Sequence, residues 1–264
     1  MQKLFPLASS SKGNSIYIGS STAGVLIDAG IGPRIFQKAL SMGGIAGLES
    51  IQAIFITHEH SDHIKGLLPL TERLDVPVYG SRETLVELIH KDAVSPRTRL
   101  FEINRKMVEF AGMGIRAFNT SHDSVHSLGF SFECPDGKRA AVCTDCGVIT
   151  PEVHAALCGC KTLLLESNYD REMLRNGSYP AYLKQRIASA QGHLCNDDCA
   201  AELVTLAELG AEHFVLGHLS EENNRPELAA QTSLSALASA GLAPGKDFTL
   251  FAAPRATSGQ YAQL

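Results

Sequence analysis

Residues 55–66 read FITHEHSDHIKG and place His58, His60, Asp62 and His63 within six positions, directly after the apolar run IQAIFIT. A short continuous apolar run is the pattern of a buried strand. Where the chain leaves such a strand still extended, side chains at i and i+2 point the same way, so His58 and His60 can chelate one ion. The chain then turns into a helix, for which Ser61 is the expected cap and Asp62 an expected first-turn residue. Asp62 and His63 thereby face a second position. Imidazole nitrogen and carboxylate oxygen without thiolates suit zinc, manganese or iron. Three imidazoles and a carboxylate this close are hard to satisfy without a cation.

The same grammar recurs outward along the chain. The run IRAFNTS ends at His122, AAVCT ends at Asp145, and FVLG ends at His218. Four strands thus deliver ligand-type residues at their C-terminal ends, where sheet folds commonly build sites on loops held by a rigid scaffold. His90, His154 and His213 lie in helix-like or loop sequence with no partner motif and read as ordinary surface or satisfied core histidines. The seven cysteines are an odd, scattered set that reads as cytosolic thiols. Cys143-x-x-Cys146 and Cys158-x-Cys160 have spacings that a structural zinc could use. Cys143 closes an apolar run, however, and Cys158 and Cys160 flank a glycine before TLLL, so buried inert thiols are the simpler reading.

SIYIGSSTAGVLIDAG predicts a β-hairpin, and LGFSFECPDGKRAAVCTD a second one around Pro135-Asp136-Gly137. MVEFAGMGIRAFNTSH predicts two strands joined by a Gly-x-Gly turn. KTLLLES, HFVLGHLS and DFTLFAA read as later strands. RIFQKALSMGGI, RETLVELIHK, AYLKQRIASAQ, NDDCAAELVTLAELG and RPELAAQTSLSALASAG read as helices with one apolar face. Strands with interspersed helices, used twice, predict an α/β (αββα) sandwich: two mixed sheets face to face with helices outside. No Pro-, Gly- or Ser-rich linker divides the 264 residues, so one domain spanning 1–264 is expected. Hydrophobic content of 44% and charged content of 19% are ordinary for a globular chain. A formal net charge of −5 argues against a broadly basic surface that wraps nucleic acid. It leaves room for a phosphate substrate whose charge is met locally by bound cations. No signal-peptide core or membrane-length apolar run occurs, which predicts a cytoplasmic location.

HEHSDH resembles the HxHxDH signature of the metallo-β-lactamase superfamily, with His122, Asp145 and His218 matching its remaining ligand positions in order. LASSSKGNSIYI, THEHSDHIKG, TSHDS, LLLESNYDREMLRNGSYPAYLKQRI, GHLCND and LGHLSEENN together resemble the YycJ/WalJ family, covering most of the chain to about residue 224. The resemblance implies the metallo-β-lactamase fold with a dinuclear divalent-metal centre of zinc or manganese, iron also being compatible. One ion would sit on His58, His60 and His122, the other on Asp62, His63 and His218, with Asp145 bridging. It implies a phosphodiesterase with DNA as substrate, an exonuclease of the 5′-to-3′ type, in which a hydroxide activated by two cations attacks the diester. Asp62 and His193 are then the catalytic candidates. His193, in GHLCNDDCAAELV, resembles a histidine that donates a proton or contacts phosphate in related tRNA-processing nucleases. The chain departs from the family pattern at Cys146, where Thr or Ser is expected, and at Cys195, where Ser is usual after His-Leu.

Candidate substrate contacts are Ser11 and Asn14 in the Gly/Ser-rich loop SSSKGNS, Arg171 and Lys184 among the basic residues of NYDREMLRNGSYPAYLKQRI, Asn196 at a helix start, and Ser220 and Asn223 in LGHLSEENN. Two other readings stay open. A hydrolase of a lactone, thioester, β-lactam or small cyclic phosphodiester could use the same scaffold, because fold does not determine substrate. A non-enzymatic metal-binding protein is the third, and the complete ligand set weighs against it.

Overall fold

The computed structural model describes residues 2–104 and 106–264. In chain order the first half runs β1 (Lys3–Ala8), β2 (Ser15–Gly19), β3 (Gly24–Ile27), α1 (Pro33–Met42), β4 (Ile51–Phe55), α2 (Ser61–Ile64), α3 (Leu67–Thr71), β5 (Val78–Gly80), α4 (Arg82–His90) and β6 (Leu100–Glu102). The second half runs β7 (Val108–Phe110), β8 (Met113–Asn119), β9 (Leu128–Glu133), β10 (Arg139–Cys143), α5 (Pro151–Leu157), β11 (Thr162–Glu166), α6 (Arg171–Asn176) and α7 (Ala181–Ile187). It continues with α8 (Asn196–Glu208), β12 (His213–Gly217), α9 (Pro226–Ser239), β13 (Thr249–Ala252) and β14 (Ala262–Gln263).

Among the described residues these strands form two seven-stranded sheets, ordered β14-β1-β2-β3-β4-β5-β6 and β13-β12-β11-β10-β9-β8-β7. Both are mixed. In the first, β1, β2 and β3 pair antiparallel and β3, β4, β5 and β6 parallel. In the second, β7 to β10 form an antiparallel meander, and β10 to β13 are parallel.

The period-2 alternation of the strands divides their side chains between layers. Leu4, Ile16, Ile18, Val25, Ile27 and Phe55 of one sheet meet Ile115, Phe130, Phe132, Val142, Leu164 and Val215 of the other in the central core. Their neighbours Phe5, Tyr17, Leu26 and Ile54 face outward onto Phe36 and Leu40 of α1, Leu67 of α3 and Leu88 of α4. Ala141, Leu163, Phe214 and Leu216 likewise pack under α5, α8 and α9. The result is the four-layer αββα sandwich expected from the alternation of strands and helices.

Three local expectations need correction. Ser61 is not the helix cap. It is the first residue of α2, His60 occupies the cap position, and no side chain caps it. The expected single helix is also broken between α2 and α3 at Gly66, whose N–H donates to the Ala29 carbonyl. A Cβ at Gly66 would lie 1.8 Å from the Ile31 carbonyl oxygen, so the break lets the chain dock flush on the loop after β3. Finally, the β7–β8 turn is Ala111-Gly112, both at positive φ, rather than Gly112-x-Gly114. Strand β1 went unread because Pro6 argues against a strand. It lies beyond Lys3 and Leu4, the residues that pair with β14, and next to an irregularity in the β2 register. No helix among the described residues is long and apolar enough to cross a membrane.

Candidate metal centre

The ends of β4, β8, β10 and β12 converge at one rim of the sandwich, together with the loops after β3 and β11. His58, His60 and His122 offer ring nitrogens that lie within 4.8 Å of one another, and so do the donor atoms of Asp62, His63 and His218. Asp145 stands between the groups, 3.2 Å from Nε2 of His63, 3.5 Å from Nε2 of His122 and 3.5 Å from Nδ1 of His218. Six of these seven residues are buried or, for Asp62, mostly so; His60 retains partial exposure.

Hydrogen bonds behind the cluster determine which ring nitrogen faces it. Nδ1 of His63 lies 2.7 Å from Oδ2 of Asp28, Nδ1 of His122 lies 2.9 Å from the Gly192 carbonyl, and Nδ1 of His218 lies 2.8 Å from Oε1 of Glu166. These partners only accept, so each Nδ1 carries a proton and each Nε2 is the atom turned inward, toward where a cation would bind. The Thr57 hydroxyl donates to Asp28 and is 3.0 Å from Nδ1 of His58, which leaves Nε2 of His58 as the inward atom. That Nε2 is buried with no hydrogen-bond partner. Oδ2 of Asp145 is also buried and has Nε2 of His63 at 3.2 Å. Orphaned buried acceptors are costly unless something positive meets them. The donor set therefore fits divalent cations: nitrogen lone pairs and carboxylate oxygens, held from behind and converging on the same space.

The charge balance without a cation leads to the same conclusion. Burial opposes charge on His63, yet Asp145, Asp28 and Asp62 outweigh it and hold its pKa well above the usual imidazole value. His218 is pushed up to about 10 against its burial, chiefly by Asp145 with Asp62 and Glu166. His58 moves the other way, because burial and then the His63 charge disfavour its proton. Asp145 is held well below the carboxylate range although burial alone would raise it, since His218, His63 and His58 surround it. Protons on two histidines thus balance a carboxylate cluster.

Three site residues sit in the left-handed region: Asp28 at φ 59°, Asp145 at φ 53° and His218 at φ 54°. Non-glycine residues held there cost on the order of 1–3 kcal/mol each, and such strain concentrates at functional sites. Each comes one or two residues after a strand end, where the chain must turn its side chain back over the rim.

His193 stands beside the cluster. Its Nδ1 is 2.8 Å from Oε1 of Glu166, the oxygen that also meets His218, and its ring is 18% exposed against 0–2% for His63, His122 and His218. Oε2 of Glu166 accepts from the N–H groups of Cys146 and Leu194. Burial opposes its charge, but His193 and His218 outweigh that and hold Glu166 down at about 2. Neither Asp28 nor Glu166 was singled out from the sequence. The available signal was the one that exposed Asp145: VLID and LLLE are apolar runs that end in a carboxylate.

The other candidate residues divide. Asn14 is buried against the cluster, with Nδ2 3.2 Å from Asp62 and 3.1 Å from Nε2 of His63. Ser11 is exposed at the loop tip, and it is Ser9 whose hydroxyl accepts from the His218 N–H. Arg171 is engaged by Asp197 and Asp198, and Lys184 donates to the Arg175 carbonyl. A basic side chain that is brought to the rim is Arg186, which pairs with Asp123 next to His122. Asn196 is not the α8 cap. Cys195 holds that position, and Asn196 is buried with Ser167 and Asn224. Ser220 accepts from the Asn223 N–H, and both are buried in their own turn. No cysteine belongs to any ligand cluster among the described residues, so Cys143, Cys146, Cys158 and Cys160 do not assemble a thiolate zinc site.

Comparison with known proteins agrees with this geometry. Residues 24–219 match the model of the beta-lactamase superfamily domain. The chain is 34% identical to exodeoxyribonuclease YycJ of Bacillus anthracis, over 92% of each chain. It is 35% identical to exodeoxyribonuclease WalJ of Streptococcus pneumoniae, over 93% of this chain and 91% of the relative. Among solved structures it resembles zinc-bound PqqB from Methylobacterium extorquens, at 17% identity and a TM-score of 0.73 over 99% of this chain and all of that one. It also resembles YhfI, a metallo-beta-lactamase fold protein from Bacillus subtilis, at 15% identity and a TM-score of 0.71 over 97% and 98% of the two chains. A divalent-metal rim on an αββα sandwich, and identity along nearly its whole length, mean that the chain belongs to the metallo-β-lactamase-fold superfamily and, within it, to the YycJ/WalJ family.

Proposed function

We propose that this chain is a dinuclear-metal-dependent phosphodiesterase that degrades DNA as an exonuclease, of the 5′-to-3′ type. The observation that carries the reading is the His193–Glu166 pair beside the ligand cluster, taken with relatives named exodeoxyribonucleases. Divalent cations bound by His58, His60 and His122, and by Asp62, His63 and His218, with Asp145 between them, would make a water more acidic and draw electron density from the phosphate.

The remaining chemistry belongs to the side chains. Glu166 keeps the proton on Nδ1 of His193, so Nε2 is the exchanging atom, exposed at the rim where a leaving oxygen would emerge. The same carboxylate orients His218, which couples the acid to the ligand cluster. Asp28 and Thr57 hold His58 and His63, so substrate binding would not need to reorganise them. Asn14 offers an amide against Asp62, and Arg186 offers a guanidinium for a backbone phosphate once it exchanges Asp123 for it. The shared inter-sheet core supports treating residues 1–264 as one domain.

Single- and double-stranded DNA and RNA, labelled at the 5′ or the 3′ end, test the proposal with zinc- and manganese-loaded protein. Release of mononucleotides from the 5′ end of DNA is expected. Turnover of an acyl lactone or nitrocefin with no cleavage of any labelled strand would replace this reading with a non-nuclease hydrolase.

A further inference from the structure

The seven cysteines differ in exposure: six are buried, whereas Cys158, at the C-terminal end of α5, is partly exposed. Burial pushes the thiols of Cys134, Cys160 and Cys195 up to about 11, which leaves them protonated and unreactive at neutral pH. Cys158 has other neighbours. Its Sγ lies 3.3 Å from Nε2 of His154, one helical turn earlier. Nδ1 of the same ring lies 2.7 Å from Oε1 of Glu202 on α8. A carboxylate only accepts, so Nδ1 carries the proton and Nε2 presents its lone pair to the thiol. The Arg139 guanidinium donates to the Cys158 carbonyl at 3.0 Å and adds a cation beside the residue. A nucleophile, a base within hydrogen-bond reach and a carboxylate orienting the base form the arrangement that activates a thiol. None of the three is among the metal-cluster residues.

We infer that Cys158 is a reactive thiol, and that the surface between α5 and α8 is a modification site for small disulfides, distinct from the metal centre. The Cys158 proton passes to Nε2 of His154, and the thiolate sulfur attacks one sulfur of the disulfide RSSR. A Cys158–SR bond forms as the original S–S bond breaks, and RS⁻ leaves to take up a proton. One disulfide is consumed and one is formed, so no further oxidant is needed.

The test treats metal-loaded, full-length protein with oxidised glutathione at neutral pH and maps the adducts by peptide mass spectrometry. Cys158 should be modified first, with the six buried cysteines unlabelled over the same interval. Cysteine is already a strong nucleophile without help, so losing the base that takes its proton is expected to slow it by only about tenfold. His154→Gln, which cannot take the proton, should therefore slow the adduct about tenfold, and Glu202→Gln should slow it by less. Should His154→Gln expose the buried cysteines, Glu202→Gln carries the comparison in a protein that keeps its imidazole. Equal rates in the wild type and in a folded variant would reduce Cys158 to a merely exposed thiol and overturn the proposal. A first adduct on any other cysteine would overturn it as well.

Discussion

Glu166 illustrates how one buried carboxylate can serve two functions. Oε1 meets both His193 and His218, and two backbone N–H groups hold Oε2. Loss of the charge in Glu166→Gln should misorient both rings. Partners behind metal ligands are typically worth 10–100-fold in affinity or activity, so a loss of that order is expected in both turnover and metal retention. His193→Ala should behave differently. It should keep its metals and lose about 10²–10⁴-fold in turnover on DNA, the usual worth of general acid catalysis. With a p-nitrophenyl leaving group, which departs without a proton, the loss should shrink. His58→Ala should lose metal and activity together on every substrate. Equal losses for His193→Ala on good and poor leaving groups would leave it phosphate positioning at most.

The neighbouring pair Asp145 and Cys146 gives a second comparison at this scale. Asp145 has a buried oxygen facing the cluster, 3.2 Å from Nε2 of His63, whereas Cys146 directs its Sγ to the Val148 carbonyl. Asp145→Ala should lower metal content and turnover, and Cys146→Ser should spare metal content. Elemental analysis of the two variants decides, and the opposite pattern would restore a cysteine-based site. The HxHxDH stretch was legible as a cluster because its members are local, and a strand mouth fixes where adjacent side chains point. Asp28 and Glu166 were not, because their histidines lie 35 and 52 residues away.

Among the elements, the loop after β3 determines the placement of Asp62. Gly30 donates to the Asn14 carbonyl, and Asn14 donates to the Asp62 carbonyl. A Cβ on Gly30 would meet that Asp62 oxygen at 1.7 Å. Because the obstacle is backbone, it cannot rotate away. Gly30→Ala should cost about 1–3 kcal/mol or more, the range for overpacking a filled site. It should also lower metal content by displacing Asp62. Thermal melts of the apo and loaded protein would separate the two effects, and unchanged melting with full metal content would contradict this view of the loop. Most elements were legible from periodicity. β1, the short edge strands β6 and β14, and the α2–α3 break were not; Pro6 and Gly66 have meaning only against the neighbours they pack on.

For the whole molecule, two sheets supply one rim, and the cluster draws on both. The protein is therefore expected to take up two divalent ions per chain, with a stoichiometry that never exceeds one counting against a dinuclear centre. Loading should also release protons. In the metal-free protein the pKa values of His63 and His218 lie above the ordinary imidazole value, so both hold protons at neutral pH that a cation must displace. The sign follows: apparent metal affinity rises with pH from neutrality toward the His218 value of about 10. Titration calorimetry in two buffers of different ionisation enthalpy measures the release, and none at pH 7 would refute this account. Chelation should lower the melting temperature, because the ions bind only the folded rim.

The sequence by itself determined the sandwich and the chemical class of the site. Strand alternation, helical periodicity and a carboxylate or imidazole at the end of an apolar run are local patterns, readable in one dimension because each arises from backbone geometry. Tertiary structure alone decided which nitrogen of each histidine faces the cluster. It also decided that Glu166 is shared by His193 and His218, that Arg186 rather than Arg171 reaches the rim, and that Cys158 meets His154 and Glu202. Those choices depend on which loops close against which. His218 and Asp62 are 156 residues apart and 3.4 Å from contact to contact. Such a meeting is determined by the packing of two sheets on one core, which no local pattern encodes.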